Sequence, residues 1–246
     1  MKEVIDMSGE ILLKSGTSNF ELAKELGDYI KTNFKNDDLV FRPIPIITPN
    51  KAQHNWLKEQ LAVNLGFIAN LEHNSLNSFF KQIFDELFPE RKDLPGKGRL
   101  VWDLFSALNN EKFKKDFPKI AEYCGSDEIK RLALAQKLAG LFGEYEQFKP
   151  ELLENWKKIK EDITNHDEAW QARLYRLSGF DKNLITASEF EERFAQTPKF
   201  LTKYKEIFLF GDLSFSPLQL QYLDVIKRAS EIIVHIFQAN IKINKE

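Results

Sequence analysis

The stretch that decides the fold is ILLKSG at residues 11–16, which runs directly into a helical pattern over residues 19–30. Two later segments share its design, IPIITPNKA at residues 44–52 and IFLFGD at residues 207–212. Each begins with a short apolar run, continues into a polar turn and leads to a helical pattern. Short apolar strands that alternate with helices predict a parallel sheet buried on both faces.

The remaining elements of this α/β pattern are weaker. Further strands are predicted at residues 67–71 and 232–237. Pro45 conflicts with a strand interior, so we expect the second strand proper to begin at Ile46. The helix after the first strand has a core-facing stripe at spacings of three and four residues. That stripe consists of Phe20, Ala23, Leu26, Gly27 and Ile30.

The composition and hydrophobic pattern of the sequence change twice along the chain. Residues 89–98 are charged and rich in proline and glycine, and residues 99–196 carry helical stripes with almost no β-branched runs. The alternating α/β pattern returns after Pro198. The sequence therefore predicts a discontinuous α/β domain of residues 1–88 and 199–246, with an all-helical insertion domain at residues 89–198.

Composition limits the possible functions. The chain has 246 residues, 43% of them hydrophobic, and a net charge of −2, so a nucleic-acid contact needs a local basic patch. A single cysteine, Cys124, excludes an internal disulfide and suits a reducing cytoplasm. The four scattered histidines lack metal-ligand spacing, so no metal site is predicted. No secretory signal or membrane span is expected.

The turn after the first strand bears on catalysis. Residues 16–19, GTSN, lack the Gly-Lys-Ser/Thr pattern that cradles phosphates and holds Mg²⁺. Asp212 has the position of a Walker-B carboxylate, but that chemistry needs a P-loop lysine or an equivalent clamp. We therefore predict an α/β fold with a parallel sheet of P-loop or helicase type that lacks a functional P-loop. No catalytic residue and no cofactor are predicted.

A candidate binding site lies at the turns that follow the strands. Thr48, Asn50 and Lys51 stand between the second strand and its helix, where open α/β sheets bind ligands. A helix N-terminus with Asn50 and Lys51 suits a backbone phosphate. The residues alone leave open a plain β–α turn with a solvated lysine.

Several motifs resemble the N-terminal region of the exodeoxyribonuclease V gamma chain (RecC) family. Their order and spacing hold from about residue 40 to residue 240. The motifs are NKA at 50–52 with WL at 56–57, GFIANL at 66–71, LFGEY at 141–145, PELLENW at 150–156, EAWQARLY at 168–175, IFLFG at 207–211 with SP at 216–217, and IVHIF at 233–237.

The resemblance implies a helicase-like fold without ATPase motifs, in agreement with the missing lysine. Because the family is much longer than this chain, the resemblance implies an N-terminal part of a subunit. It implies a non-catalytic, strand-channelling role in a helicase-nuclease for double-strand break repair by homologous recombination. The implied partners are a helicase-nuclease beta chain, a helicase alpha chain, and single-stranded or duplex-end DNA. The implied DNA-binding residues are Thr48, Asn50, Lys51, Ser75 and Ser78.

One property of the family is not carried over. The positions that the resemblance associates with reading a Chi sequence depart in character from the family's pattern. Here they are Pro49, Lys51, Asn55, Ser75 and Lys81. The resemblance thus extends to passage of a single strand, and not to recognition of a particular sequence.

Two other functions remain open from the residues. The first is a nucleotide-dependent ATPase or helicase domain that uses the same sheet, against which the missing lysine argues. The second is a purely structural domain whose α/β edge docks a partner subunit. Absence of a basic path on the folded surface would favour the structural domain.

Overall fold

One parallel sheet organises the fold. The computed structural model describes residues 9–34, 43–66, 70–91, 97–158, 168–194, 201 and 204–239. Its strands are β1 (Glu10–Gly16), β2 (Ile44–Ile47), β3 (Leu71–Asn74), β4 (Glu206–Phe210) and β5 (Ile233–Ala239). They lie in the order β1-β5-β4-β2-β3, and each neighbouring pair is parallel. The predicted α/β class with a parallel sheet is confirmed.

Helices make up most of the remaining described residues. In chain order they are α1 (Asn19–Asn33), α2 (Lys51–Leu65), α3 (Leu76–Leu87), α4 (Lys97–Leu108), α5 (Glu111–Asp116), α6 (Pro118–Cys124), α7 (Glu128–Phe148), α8 (Pro150–Lys158), α9 (Ala169–Leu177), α10 (Ala187–Arg193) and α11 (Pro217–Ala229). Short 3₁₀ turns occur at Pro89–Arg91 and Phe180–Lys182. Between residues 97 and 194, the described part of the chain contains helices and turns and no strand.

The chain divides into two compact units. One comprises residues 1–89, 191–214 and 223–246, and it contains the sheet. The other comprises residues 90–190 and 215–222 and is helical where it is described. Residues 215–222, assigned to the α/β domain from the sequence, thus group with the helical unit.

The core of the sheet unit lies between one face of the sheet and helices α1 and α2. Alternate residues of a strand point to the same face, which places Phe208 and Phe210 of β4 in this layer. The cluster consists of Leu22, Ala23, Leu26, Ile30, Ile44, Ile46, Leu57, Leu61, Phe208, Phe210 and Phe237. These residues are at most 2% exposed, so the stripe predicted for the first helix largely forms core.

Phe20 departs from that stripe. Its side chain is 64% exposed, although Ala23, Leu26 and Ile30 of the same stripe are buried. Phe20 stands in the first turn of α1, where the neighbouring elements do not cover it. The prediction that Phe20 belongs to the core is wrong.

Two strand boundaries also differ from expectation. Residues 71–74 form β3, whereas the sequence favoured residues 67–71, of which 67–69 lie outside the described residues. Pro45 lies inside β2. The amides of Ile44 and Thr48 donate to Asn70 O and Asn74 O in the direction of β3. Successive backbone amides of a strand point to opposite neighbours, so the nitrogen of Pro45 points toward β4. The pairing of β2 with β4 starts only at residue 46. Pro45, which has no N–H to donate, therefore costs the sheet no hydrogen bond.

Candidate nucleic-acid interface

The predicted binding residues meet at the carboxyl edge of the sheet. Parallel strands all end at the same edge, and β2 is the immediate neighbour of both β3 and β4. Residues 48–51 follow β2, residues 75–78 follow β3 and residues 211–212 follow β4. All of them belong to the sheet unit. The topology therefore brings the predicted site residues together.

Thr48 is a structural residue of this edge. Its side chain is fully buried. The Thr48 hydroxyl donates to Asn50 O at 3.0 Å, and the Thr48 amide donates to Asn74 O at 3.0 Å. Thr48 therefore holds the turn in place and offers no exposed atom of its side chain to a ligand.

Asn50 and Lys51 begin α2. Asn50 is the N-cap, and its Oδ1 accepts a hydrogen bond from the amide of Gln53 at 2.9 Å. Both Asn50 and Lys51 are exposed, and the first turn of α2 contains no acidic residue. The positive end of the helix dipole and the lysine charge add to each other here. This turn is therefore an exposed, anion-attracting point on the sheet edge.

Ser75 and Ser78 begin α3 in a similar manner. Ser75 is the N-cap and accepts a hydrogen bond from the Ser78 amide at 3.2 Å. Ser78 is exposed, and its hydroxyl lies 3.5 Å from Oδ1 of Asn74. That oxygen also accepts from Nε2 of Gln82 at 2.7 Å. The first turn of α3 has no acidic residue, so it adds hydroxyl and amide groups to the edge.

Two histidines join the edge from different elements. The rings of His54 on α2 and His73 on β3 have centroids 4.5 Å apart. Burial, then His73 and then Lys58 lower the pKa of His54 to about 4, and burial followed by Lys51 lowers the pKa of His73. Both rings are therefore neutral at pH 7. Their separation of 19 residues gave no signal in the sequence.

The turn after β1 is hydrogen-bonded to a carboxylate of the helix that follows it. The Thr17 amide donates to Oε2 of Glu21 at 3.0 Å, and the Thr17 hydroxyl donates to the same oxygen at 2.8 Å. These hydrogen bonds lower the pKa of Glu21. A P-loop presents its backbone amides to phosphate. In this turn the Thr17 amide instead donates its hydrogen bond to the carboxylate of Glu21 in the following helix.

Asp212 has a local partner of its own at this edge. Nε2 of Gln238 donates to Oδ1 of Asp212 at 3.3 Å. Among the described residues, no group of three or more His, Cys, Asp or Glu side chains is placed to hold a metal ion.

An aromatic pair borders the same edge. Phe20 meets Trp56 of α2 in an edge-to-face contact with ring centroids 5.1 Å apart. Trp56 in turn lies 6.2 Å from Phe210, a fully buried residue of β4. The sequence placed Phe20 in the core, so this exposed ring was missed as a surface feature.

Within the described part of the helical unit, a cleft of about 420 Å³ lies between α4 and α7. It is lined by Gly98, Val101, Ala139, Gly140, Gly143, Glu144, Gln147 and Phe148.

Comparison with known proteins places the chain in a family. The family model described as RecC, N-terminal domain, matches residues 15–241. The chain belongs to this RecC family. Among curated relatives, the RecBCD enzyme subunit RecC of Escherichia coli K12 is 25% identical over 232 residues, which cover 88% of this chain and 20% of that protein. The resemblance predicted from the sequence motifs is confirmed.

Two other RecC relatives are also matched over only part of their length. The Haemophilus influenzae RecBCD enzyme subunit RecC is 24% identical over 261 residues, covering 91% of this chain and 23% of that protein. The Mycolicibacterium smegmatis subunit is 27% identical over 142 residues, covering 54% and 13% respectively. The matches thus span between 13% and 23% of the length of these RecC proteins. No helix in the described part of the chain is long and apolar enough to cross a membrane.

Proposed function

We propose that this chain is a DNA-binding, strand-channelling part of a helicase-nuclease and that it catalyses no reaction itself. The observation that carries the proposal is the exposed N-terminus of α2, with Lys51, at the carboxyl edge of a parallel sheet in a RecC-family chain. The process is double-strand break repair by homologous recombination, in the cytoplasm. The ligand is single-stranded or duplex-end DNA.

The proposed partners are a helicase-nuclease beta chain and a helicase alpha chain of an exodeoxyribonuclease V complex. Support comes from the curated relatives, each of which is described as a RecBCD enzyme subunit. In this arrangement the chain is an N-terminal part of the subunit. The proposed domains are the helicase-like α/β domain, residues 1–88 and 199–246, and the helical insertion, residues 89–198, although residues 215–222 group with the helical unit.

The proposed fold type is a P-loop or helicase sheet without a working P-loop. The turn GTSN at residues 16–19 carries no lysine, and the Thr17 amide already binds Glu21. An ATPase would need that turn to receive phosphate oxygens, so the ATPase alternative has less support. The salt dependence of DNA binding by Lys51→Ala distinguishes DNA binding from the docking-domain alternative.

Asn50, Lys51, Ser75 and Ser78 are the proposed DNA contacts, and Thr48 holds the turn that presents them. The net charge of −2 gives no long-range attraction for DNA. Affinity must therefore come from local contacts with phosphates and from partner subunits. Binding of this kind is strongly sensitive to salt because each phosphate contact releases counterions.

The test is the salt dependence of single-stranded DNA binding by the complex that carries Lys51→Ala. We expect the slope of log affinity against log salt to fall by roughly 0.7, the contribution of one phosphate contact on a single strand. Lys31→Ala is the matched control, because Lys31 is an exposed lysine in the last turn of α1, toward the opposite edge of the sheet. An unchanged affinity and slope for Lys51→Ala would refute the site and favour the docking domain.

A further inference from the structure

We propose that Phe20, supported by Trp56, is a stacking platform for an unpaired nucleobase at the carboxyl edge of the sheet. The proposal rests on the proposed function, because it adds a base contact to the phosphate contacts given above.

The first argument is the position of Phe20. It is the second residue of α1 and follows the carboxyl end of β1 after a short turn. Isolated exposed apolar side chains are common on protein surfaces and mean little by themselves. Phe20, however, is 64% exposed at the edge where sheets of this type bind ligands.

The second argument is the support beneath the ring. The planes of Phe20 and Trp56 meet at 86°, with centroids 5.1 Å apart, and such an edge-to-face contact uses at most one face of the phenyl ring. Trp56 is partly buried and contacts Phe210. The Phe20 ring is therefore held in a defined orientation while it remains accessible, so little side-chain freedom is lost when a flat ligand stacks on it.

The third argument is the chemistry around the pair. Trp56 lies five residues after Lys51 on α2, about 7.5 Å along the helix axis at 1.5 Å per residue. The exposed residues closest to the pair along the chain are mostly polar or basic but include two carboxylates, one of which, Glu21, accepts hydrogen bonds from Thr17. They are Thr17, Ser18, Glu21 and Lys24 near Phe20, and Lys51, Asn55 and Glu59 near Trp56. Proteins that bind single strands combine a cationic track with aromatic rings for the bases. A flat base attached to a phosphate fits this combination better than the apolar surface of a protein partner does.

The test compares two single-stranded oligonucleotides of equal length, one normal and one with abasic positions, bound by the protein together with the subunits that accompany it. We expect Phe20→Ala to weaken binding of the normal strand about 5- to 150-fold, the range of one lost stacking contact. Binding of the abasic strand and the salt slope should not change, because no phosphate contact is removed. Phe20→Tyr should bind like the wild type.

Val63→Ala is the matched control, since Val63 is 84% exposed and lies at the far end of α2. Three results would overturn the proposal. The first is that Phe20→Ala binds the normal strand with wild-type affinity. The second is that Phe20→Ala lowers the affinity for the normal and the abasic strand equally. The third is that Phe20→Ala releases an accompanying subunit without changing the affinity for DNA. If Phe20→Ala has no effect while Lys51→Ala lowers the salt slope, only the stacking contact fails. If Lys51→Ala also has no effect, the proposed function fails with it.

Discussion

The side chain of Gln53 lies against the backbone of Gly211, and a Cβ added at residue 211 would stand 2.2 Å from Nε2 of Gln53. Gly211 follows β4 and has a φ of +102°, a conformation that side-chain-bearing residues rarely adopt. The end of the Gln53 side chain, in the first turn of α2, therefore occupies the space that a side chain at residue 211 would need.

We expect Gly211→Ala to lower the free energy of unfolding by roughly 1–3 kcal/mol, mainly because of backbone strain at the positive φ, since the end of the flexible Gln53 side chain can move away. Urea denaturation measures the change. Adding Gln53→Ala should recover only the part due to collision. Gly140→Ala is the control, since nothing lies within 4 Å of its added Cβ inside α7; it should gain about 0.5–1 kcal/mol. Equal stability of Gly211→Ala and the wild type would show that Gln53 and the backbone adjust freely.

Acid should destabilise the protein through His54. Its pKa is 6.5 in the unfolded chain and about 4 when folded, and its Nδ1 has no hydrogen-bond partner among the described residues. Between these values the unfolded chain binds more protons, so stability is retained above pH 6.5 and is lost as the pH falls toward 4. For His54 the loss between pH 7 and pH 5 is about 2 kcal/mol.

Urea denaturation at pH 7 and pH 5 checks this prediction. His54→Leu should show a smaller difference between the two pH values than the wild type. His73→Gln should reduce the difference less than His54→Leu does, because burial, and not His73, is the largest cause of the lowered His54 pKa. If His54→Leu loses as much stability between pH 7 and pH 5 as the wild type does, groups other than His54 cause the acid destabilisation.

The purified chain should neither bind ATP tightly nor hydrolyse it. Glu21 already accepts a hydrogen bond from the Thr17 amide in the turn after β1, and residues 16–19 provide no lysine. Isothermal titration calorimetry should detect no tight binding. Glu21→Gln, which removes the negative charge, should not create an ATP site, because the lysine is still missing. ATP turnover that is abolished by Asp212→Ala would overturn this prediction.

Local sequence patterns were sufficient for the class of fold and for the place of some candidate site residues at helix starts. Short apolar runs bounded by polar turns and helical stripes predict parallel strands wherever they occur in a chain, and β1, β2, β4 and β5 lie close to where those runs stand. Asn50 and Lys51 were placed at a helix start because a polar N-cap follows a strand there. These inferences depend only on neighbours along the chain.

Contacts between distant segments were beyond local patterns. The sequence predicts Thr48 to be a ligand-binding residue, but its hydroxyl donates a hydrogen bond to Asn50 O inside the turn. Helical periodicity assigned Phe20 to the core, yet burial depends on whether another element covers the first turn of α1. The pairing of His54 with His73 required α2 and β3 to pack against each other.

The sequence by itself determined the α/β class, the parallel strands and the helix starts, because backbone propensity, capping and hydrophobic period act over a few residues. Only the tertiary structure decided the strand order, the exposure of Phe20 and the polar contacts within the sheet unit. Glu206, for example, accepts hydrogen bonds from Tyr29 at 2.7 Å and from His235 at 2.8 Å when that ring carries its proton on Nε2. These three residues come from α1, β4 and β5, and no local rule brings them together. Their meeting depends on which strands pair and which helices cover them.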